Sequence, residues 1–87
     1  MSGSITITLK LFAMLRDKLP PGTRAGTTEV ELDVGATPQV VIERFGIPRQ
    51  MAHLVMINGR HLLPAEHKTA ELQAGDTLAI FPPIAGG

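Results

Sequence analysis

Thr77-Leu78-Ala79-Ile80-Phe81-Pro82-Pro83-Ile84-Ala85-Gly86-Gly87 changes character halfway along. Thr77 to Phe81 reads as an apolar strand. Two prolines then forbid further sheet pairing and favour an extended polyproline conformation. Gly86-Gly87 has no side chains, and a free carboxylate is expected after it. The six residues from Pro82 to Gly87 span roughly 20 Å when extended. Such a segment can enter a narrow site on another protein while the body stays outside.

Working outward, Ile5 to Leu11 alternates apolar and polar residues, as a half-buried strand does, with Ile5, Ile7, Leu9 and Leu11 inward. Phe12 to Leu19 reads as a short helical turn stopped by Pro20-Pro21-Gly22. A second alternating run, Thr28 to Val34, points Val30, Leu32 and Val34 inward. The clearest helix follows over Pro38–Phe45: Thr37 suits the N-cap, Pro38 the first turn and Gly46 the exit. Val41, Ile42 and Phe45 form its apolar stripe. Leu54-Val55-Met56-Ile57 and Arg60-His61-Leu62-Leu63 flank Asn58-Gly59, the signature of a type I′ hairpin turn. Pro64 ends the returning strand, Glu66 to Leu72 is irregular or one turn of helix, and Ala74-Gly75-Asp76 turns into the last strand.

The chain of 87 residues is expected to be one domain, and 44% hydrophobic content supports a folded core. The expected core comprises Ile7, Leu9, Leu32, Val41, Phe45, Val55, Ile57, Leu78 and Ile80, with Phe12, Phe45 and Phe81 its only aromatics. Eight basic and eight acidic residues cancel, whereas nucleic-acid binders carry a basic excess. No apolar run approaches the ~20 residues of a membrane helix, and Met1 to Ser4 has no secretory character. Neither nucleic acid nor membrane is therefore an expected partner. The lack of cysteine removes a thiol nucleophile and fits a cytoplasmic location.

The three histidines do not make a metal site. With Asn58-Gly59 as the turn, His61 falls opposite Met56 and His53 opposite Pro64, while His67 lies beyond the strand. No zinc-like spacing results, so exposed histidines are the expectation. Nor can a nucleophile, a base and an orienting group be assembled, which argues against an enzyme.

The ending Phe81-Pro82-Pro83 with Gly86-Gly87, together with Leu11-Phe12-Ala13 and Leu15-Arg16, resembles the ubiquitin-like sulfur carrier family (MoaD/ThiS type), and within it the small subunit of molybdopterin synthase. The resemblance covers nearly the whole chain. A Gly-Gly end is in most chains a frayed terminus; here the proline pair and the strand–helix pattern turn the reading towards function. The implied fold is α+β: a β-grasp, ubiquitin-like mixed sheet of about five strands with one main helix on one face and the first and last strands parallel at its centre. The implied division is a domain over residues 1–81 and a flexible tail over 82–87.

The resemblance also implies the chemistry. The carboxylate of Gly87 is adenylated by a partner resembling ubiquitin-activating enzymes, and a sulfur donor converts it to a thiocarboxylate. Gly86, Ala85, Ile84, Pro83 and Pro82 insert the tail into partner sites. The acceptor is the larger molybdopterin synthase subunit or another sulfur-acceptor enzyme. No cofactor is bound by the chain, and ATP and magnesium belong to the activating partner. Thiamine, cysteine or tRNA thiolation, and protein modification through Gly87, are the alternatives. A sheet covered by one helix leaves its other face open, so Leu54, Met56 and Phe81 are expected to form an apolar docking patch there; a secondary core under the long loops is the competing reading.

Overall fold

The computed structural model describes residues 3–21, 23 and 25–83. Five strands form one sheet: β1 (Ser4–Leu11), β2 (Thr27–Asp33), β3 (Leu54–Ile57), β4 (Arg60–His61) and β5 (Thr77–Phe81). One α-helix, α1 (Pro38–Arg44), separates the two hairpins, and short 3-10 helices occupy Ala13–Lys18, Arg49–Met51 and Pro64–Lys68. The strand order is β2-β1-β5-β3-β4. β1 and β5 run parallel at the centre, with Leu9 opposite Leu78 and Leu11 opposite Ile80, and the other pairs are antiparallel. This is the β-grasp, ubiquitin-like architecture.

Alternation along each strand sends one set of side chains towards the helix. Ile7, Leu9, Leu11, Val30, Leu32, Val55, Leu78 and Ile80 are buried, and Val41 and Ile42 of α1 close over them. Leu15, Ile47, Leu62 and Leu72 complete the core from the connections. Burial of a side chain of this size contributes on the order of 1.5–3 kcal/mol. Leu72 is held in place by its N–H, which donates to the Ala36 carbonyl at 2.8 Å. Among the described residues no polar or charged side chain is buried.

Several sequence expectations need correction. Phe45 and Ile57 are only half-buried, packed against the core's margin. None of the three phenylalanines is fully buried, so the core is wholly aliphatic. Val34 is 65% exposed, because β2 ends at Asp33 and the chain turns through Gly35 at φ +94°. Thr37 occupies the N-cap of α1 but makes no side-chain capping bond; the helix stops at Arg44, with Phe45 as its C-cap and Gly46 at φ +66°. The Asn58-Gly59 turn has φ +52° and +83°, as a type I′ turn requires. β4 keeps the expected pairs of Met56 with His61 and Ile57 with Arg60, then leaves the ladder. His53 therefore has no strand partner at Pro64.

One glycine is dictated by space as well as by conformation. Gly26 is buried at φ +70°, and a Cβ there would sit 2.6 Å from the Leu11 carbonyl oxygen and 2.9 Å from Arg16 Nε. Its own carbonyl accepts from the Leu11 N–H at 2.9 Å. This contact fixes the end of β1 and thereby the position of Phe12.

Candidate functional site

Residues 84–87, including the expected reactive Gly87 and the insertion residues Gly86, Ala85 and Ile84, lie outside the described residues. What the structure does define is the root of that segment. β5 ends at Phe81; Pro82 is half-buried beside it and Pro83 is exposed. The root therefore leaves the sheet from its central parallel pair.

The face of the sheet away from α1 is divided into two halves. Over β1 and β2 it presents Thr6, Thr8, Lys10, Glu29 and Glu31, a polar surface. Over β5 and β3 it presents Ala79, Phe81, Leu54 and Met56. Leu54 pairs with Phe81 and Met56 with Ala79 across the antiparallel ladder, so these side chains lie side by side. The apolar half adjoins the point from which Pro82 departs.

Phe12, the first residue past β1, stacks on Phe81 with ring centroids 4.0 Å apart and planes within 10°. The parallel register makes this possible, since Leu11 is opposite Ile80 and the next residues on each strand are Phe12 and Phe81. Ala13 then takes φ +54°, a left-handed conformation uncommon outside glycine, and the chain turns sharply into its 3-10 helix. A groove of about 490 Å³ results, lined by Phe12, Met14, His53, Leu54, Phe81 and Pro82, with Ala13 and Pro83 at its edges. Met14 is 63% exposed on its wall. The His53 N–H donates to the Phe81 carbonyl at 3.1 Å and joins the two sides.

Of the expected docking residues, Phe81 and Leu54 line this groove and Met56 lies beyond it, between Ala79 and His61. All three are half-buried. Phe12, Met14 and His53 were not singled out as site residues. Phe12 carried a signal in the sequence: it has the outward parity of Thr8 and Lys10, so it belongs to the open face. Met14 and His53 had none, because loop geometry alone brings them to the groove.

The three histidines differ in exposure. His53 and His61 are exposed, but His67 is half-buried, contrary to expectation. Burial of its ring pushes its pKa below the usual histidine value; the charge of His61 adds to this and Glu66 opposes it. Glu66 accepts from the Leu63 N–H at 2.8 Å, which holds its carboxyl below the ordinary range; desolvation opposes this, and Arg60 at 3.5 Å adds to the lowering. Among the described residues no group of three or more His, Cys, Asp or Glu is placed to hold a metal ion. No helix among them is long and apolar enough to cross a membrane.

A mixed sheet with central parallel β1 and β5, a single crossover helix and an apolar groove at the C-terminal root defines a ubiquitin-like β-grasp protein. The ThiS family matches residues 9–87, and the chain belongs to that family. Comparison with curated proteins finds no match. Among solved structures, the Haloferax volcanii protein HVO 2177 is similar, with 26% identity and a TM-score of 0.75 over 98% of this chain and 89% of that one. SAMP1 of Haloferax volcanii is 25% identical, with a TM-score of 0.63 over 94% and 99% of the two chains. A candidate molybdopterin converting factor subunit 1 from Pyrococcus furiosus, 22% identical over 92% and 99%, shares the fold with a TM-score of 0.63. Family and fold together support the role of a small sulfur carrier or ubiquitin-like modifier.

Proposed function

We propose that this protein is a sulfur carrier whose reactive group is the carboxylate of Gly87, acting in molybdopterin synthesis. The observation that carries the reading is the groove between Phe12, Leu54 and Phe81 at the root of Pro82-Pro83. A partner docked there would receive the segment from Pro82 to Gly87 along a fixed direction, and ~20 Å of extended chain reaches a buried active site. The proline pair restricts the root, and glycines at the tip pass through a narrow channel without side chains.

The chemistry follows from the weakness of a carboxylate as an electrophile. Its oxygen attacks the α-phosphate of ATP in the activating partner and releases pyrophosphate. A persulfide sulfur displaces AMP from the acyl adenylate. A second thiol, itself oxidised to a disulfide, then cleaves the sulfur–sulfur bond and leaves the thiocarboxylate. In this scheme magnesium and the catalytic groups belong to the partner, and the larger synthase subunit receives the sulfur. Cysteine is absent from the chain, so its sulfur is carried at the terminus and not on a thiol. The proposed division is a folded domain through Phe81 and a tail over 82–87, and the proposed location is the cytoplasm. Pro82-Pro83 favours molybdopterin synthesis over a thiamine carrier, and cysteine or tRNA thiolation stay as alternatives.

Intact-mass spectrometry after incubation with ATP, a sulfur donor and the cognate activating enzyme tests the reading. The expected product has one terminal oxygen replaced by sulfur. Deleting Gly87 shifts the terminus by about 3.5 Å, more than a near-attack geometry tolerates, and should abolish the product. Full activity of the shortened chain overturns the proposal. The 25% likeness to SAMP1, a small archaeal modifier protein, favours a second reading, a modifier joined through Gly87 to lysine, and lysine-linked adducts without a thiocarboxylate would establish it.

A further inference from the structure

On the helix side of the molecule a cleft of about 630 Å³ opens between α1 and the turns at Arg49–Met51 and Pro64–Lys68. Arg49, His53, His67 and Lys68 stand around it, drawn from three separate segments, and Ile42, Ile47 and Pro64 contribute apolar surface. The chain as a whole balances acid and base, yet Glu43 is the one carboxylate that lines this cleft, and it accepts from Gln39 Nε2 at 3.0 Å. Among the described residues the only salt bridge is Arg60–Glu66. Arg49 and Lys68 thus stand at the cleft with no ion pair to a carboxylate among the described residues.

His53 lines both this cleft and the apolar groove at Phe81. The two depressions therefore meet along one edge of the molecule, apolar on the sheet side and basic on the helix side. We propose that the cleft binds an acidic polypeptide segment of the partner that docks on the groove, with an apolar anchor beside Leu54 and Phe81 and the following carboxylates near Arg49, His53 and Lys68. The inference rests on the carrier reading only in taking the groove as a docking surface.

Charge complementarity selects the occupant. An extended acidic peptide can set carboxylates against Arg49 and Lys68, which stand on separate segments, and lay its own aliphatic carbons on Ile42 and Ile47. A bare phosphate would leave that apolar surface uncovered. Single-stranded nucleic acid gains its sequence-tolerant affinity by stacking on aromatic side chains, and no aromatic other than histidine lines the cleft.

The test uses the full chain labelled with ¹⁵N and a synthetic peptide of one leucine followed by four glutamates. Amide signals of Arg49, His53, His67 and Lys68 should shift together with those of Leu54 and Phe81, and added salt should weaken the effect. Arg49→Glu with Lys68→Glu should reduce affinity roughly tenfold or more, and the Ala pair should reduce it less. A peptide with glutamine in place of glutamate should bind as weakly as the reversed variant. Equal binding of the glutamine peptide overturns the proposal, as does the same set of shifts with inorganic phosphate or an oligonucleotide at lower concentration. If Gly87 is thiocarboxylated while the peptide leaves the cleft signals unmoved, this inference alone fails. Peptide shifts without any thiocarboxylation would instead sink the carrier reading.

Discussion

Phe12 and Phe81 stack with ring centroids 4.0 Å apart and planes within 10°, one just past the first strand and the other at the end of the last. Their contact ties the exit of β1 to the exit of β5, so the groove and the root of the Pro82–Gly87 segment are positioned by the same pair. An aromatic pair of this kind adds about 0.5–1.5 kcal/mol beyond simple burial. That is small beside the aliphatic core, and the pair can be altered without losing the fold.

Phe81→Asp should therefore weaken docking on the activating enzyme or acceptor subunit severely and lower stability only modestly. Met56→Asp, at the far end of the patch and outside the groove, should weaken docking less. Calorimetric titration against the partner, with thermal unfolding as control, measures both. Loss of the folded state in either variant would place these side chains in the core.

Leu78→Ala should behave oppositely. Leu78 is fully buried between β1 and β3, and leucine-to-alanine changes at such sites cost about 2–5 kcal/mol. Chemical denaturation should show that loss, while docking of the folded fraction remains intact.

Gly26→Ala should cost about 1–3 kcal/mol, since the new Cβ meets the Leu11 carbonyl at 2.6 Å in a left-handed backbone. Because Leu11 precedes Phe12, the groove should be disturbed as well. Loss of the upfield ring-current shifts of the Phe12–Phe81 stack in the NMR spectrum would report it, and a variant as stable as the parent would refute the assignment.

His67 makes stability depend on pH in a defined direction. Its pKa in the folded state is lowered by burial, with His61 adding and Glu66 opposing. The unfolded chain therefore binds its proton more readily, and stability falls as pH drops below the unfolded value of about 6.5. Above that value the group contributes no slope. Thermal unfolding from pH 8 to 5 should show the decline, and His67→Gln should flatten it. Glu66, with its pKa also lowered, adds stability at neutral pH that is lost on further acidification below its unfolded value.

Period-two alternation in Ile5–Leu11, Thr28–Asp33 and Thr77–Phe81, the capped stretch from Thr37 to Gly46 and the Asn58-Gly59 pair determined every major element, because each is a local matter of side-chain parity, proline and glycine. They also determined which face of β1 and β2 is buried, and the order of elements with the resemblance at the C-terminal end supplied the parallel β1–β5 pairing. Tertiary structure decided what depends on neighbours distant in the chain. Strand parity places Phe81 on the open face from the sequence alone, but only the parallel register brings Phe12 against it there. Leu15, Leu62 and Leu72 are buried from irregular segments that carry no periodicity to read. Met14 joins the groove through the left-handed turn at Ala13, and His53 joins it through the hydrogen bond of its N–H to Phe81. The cleft between α1 and Pro64–Lys68 arises only when residues separated by some twenty positions pack against one another, a juxtaposition that no local pattern encodes.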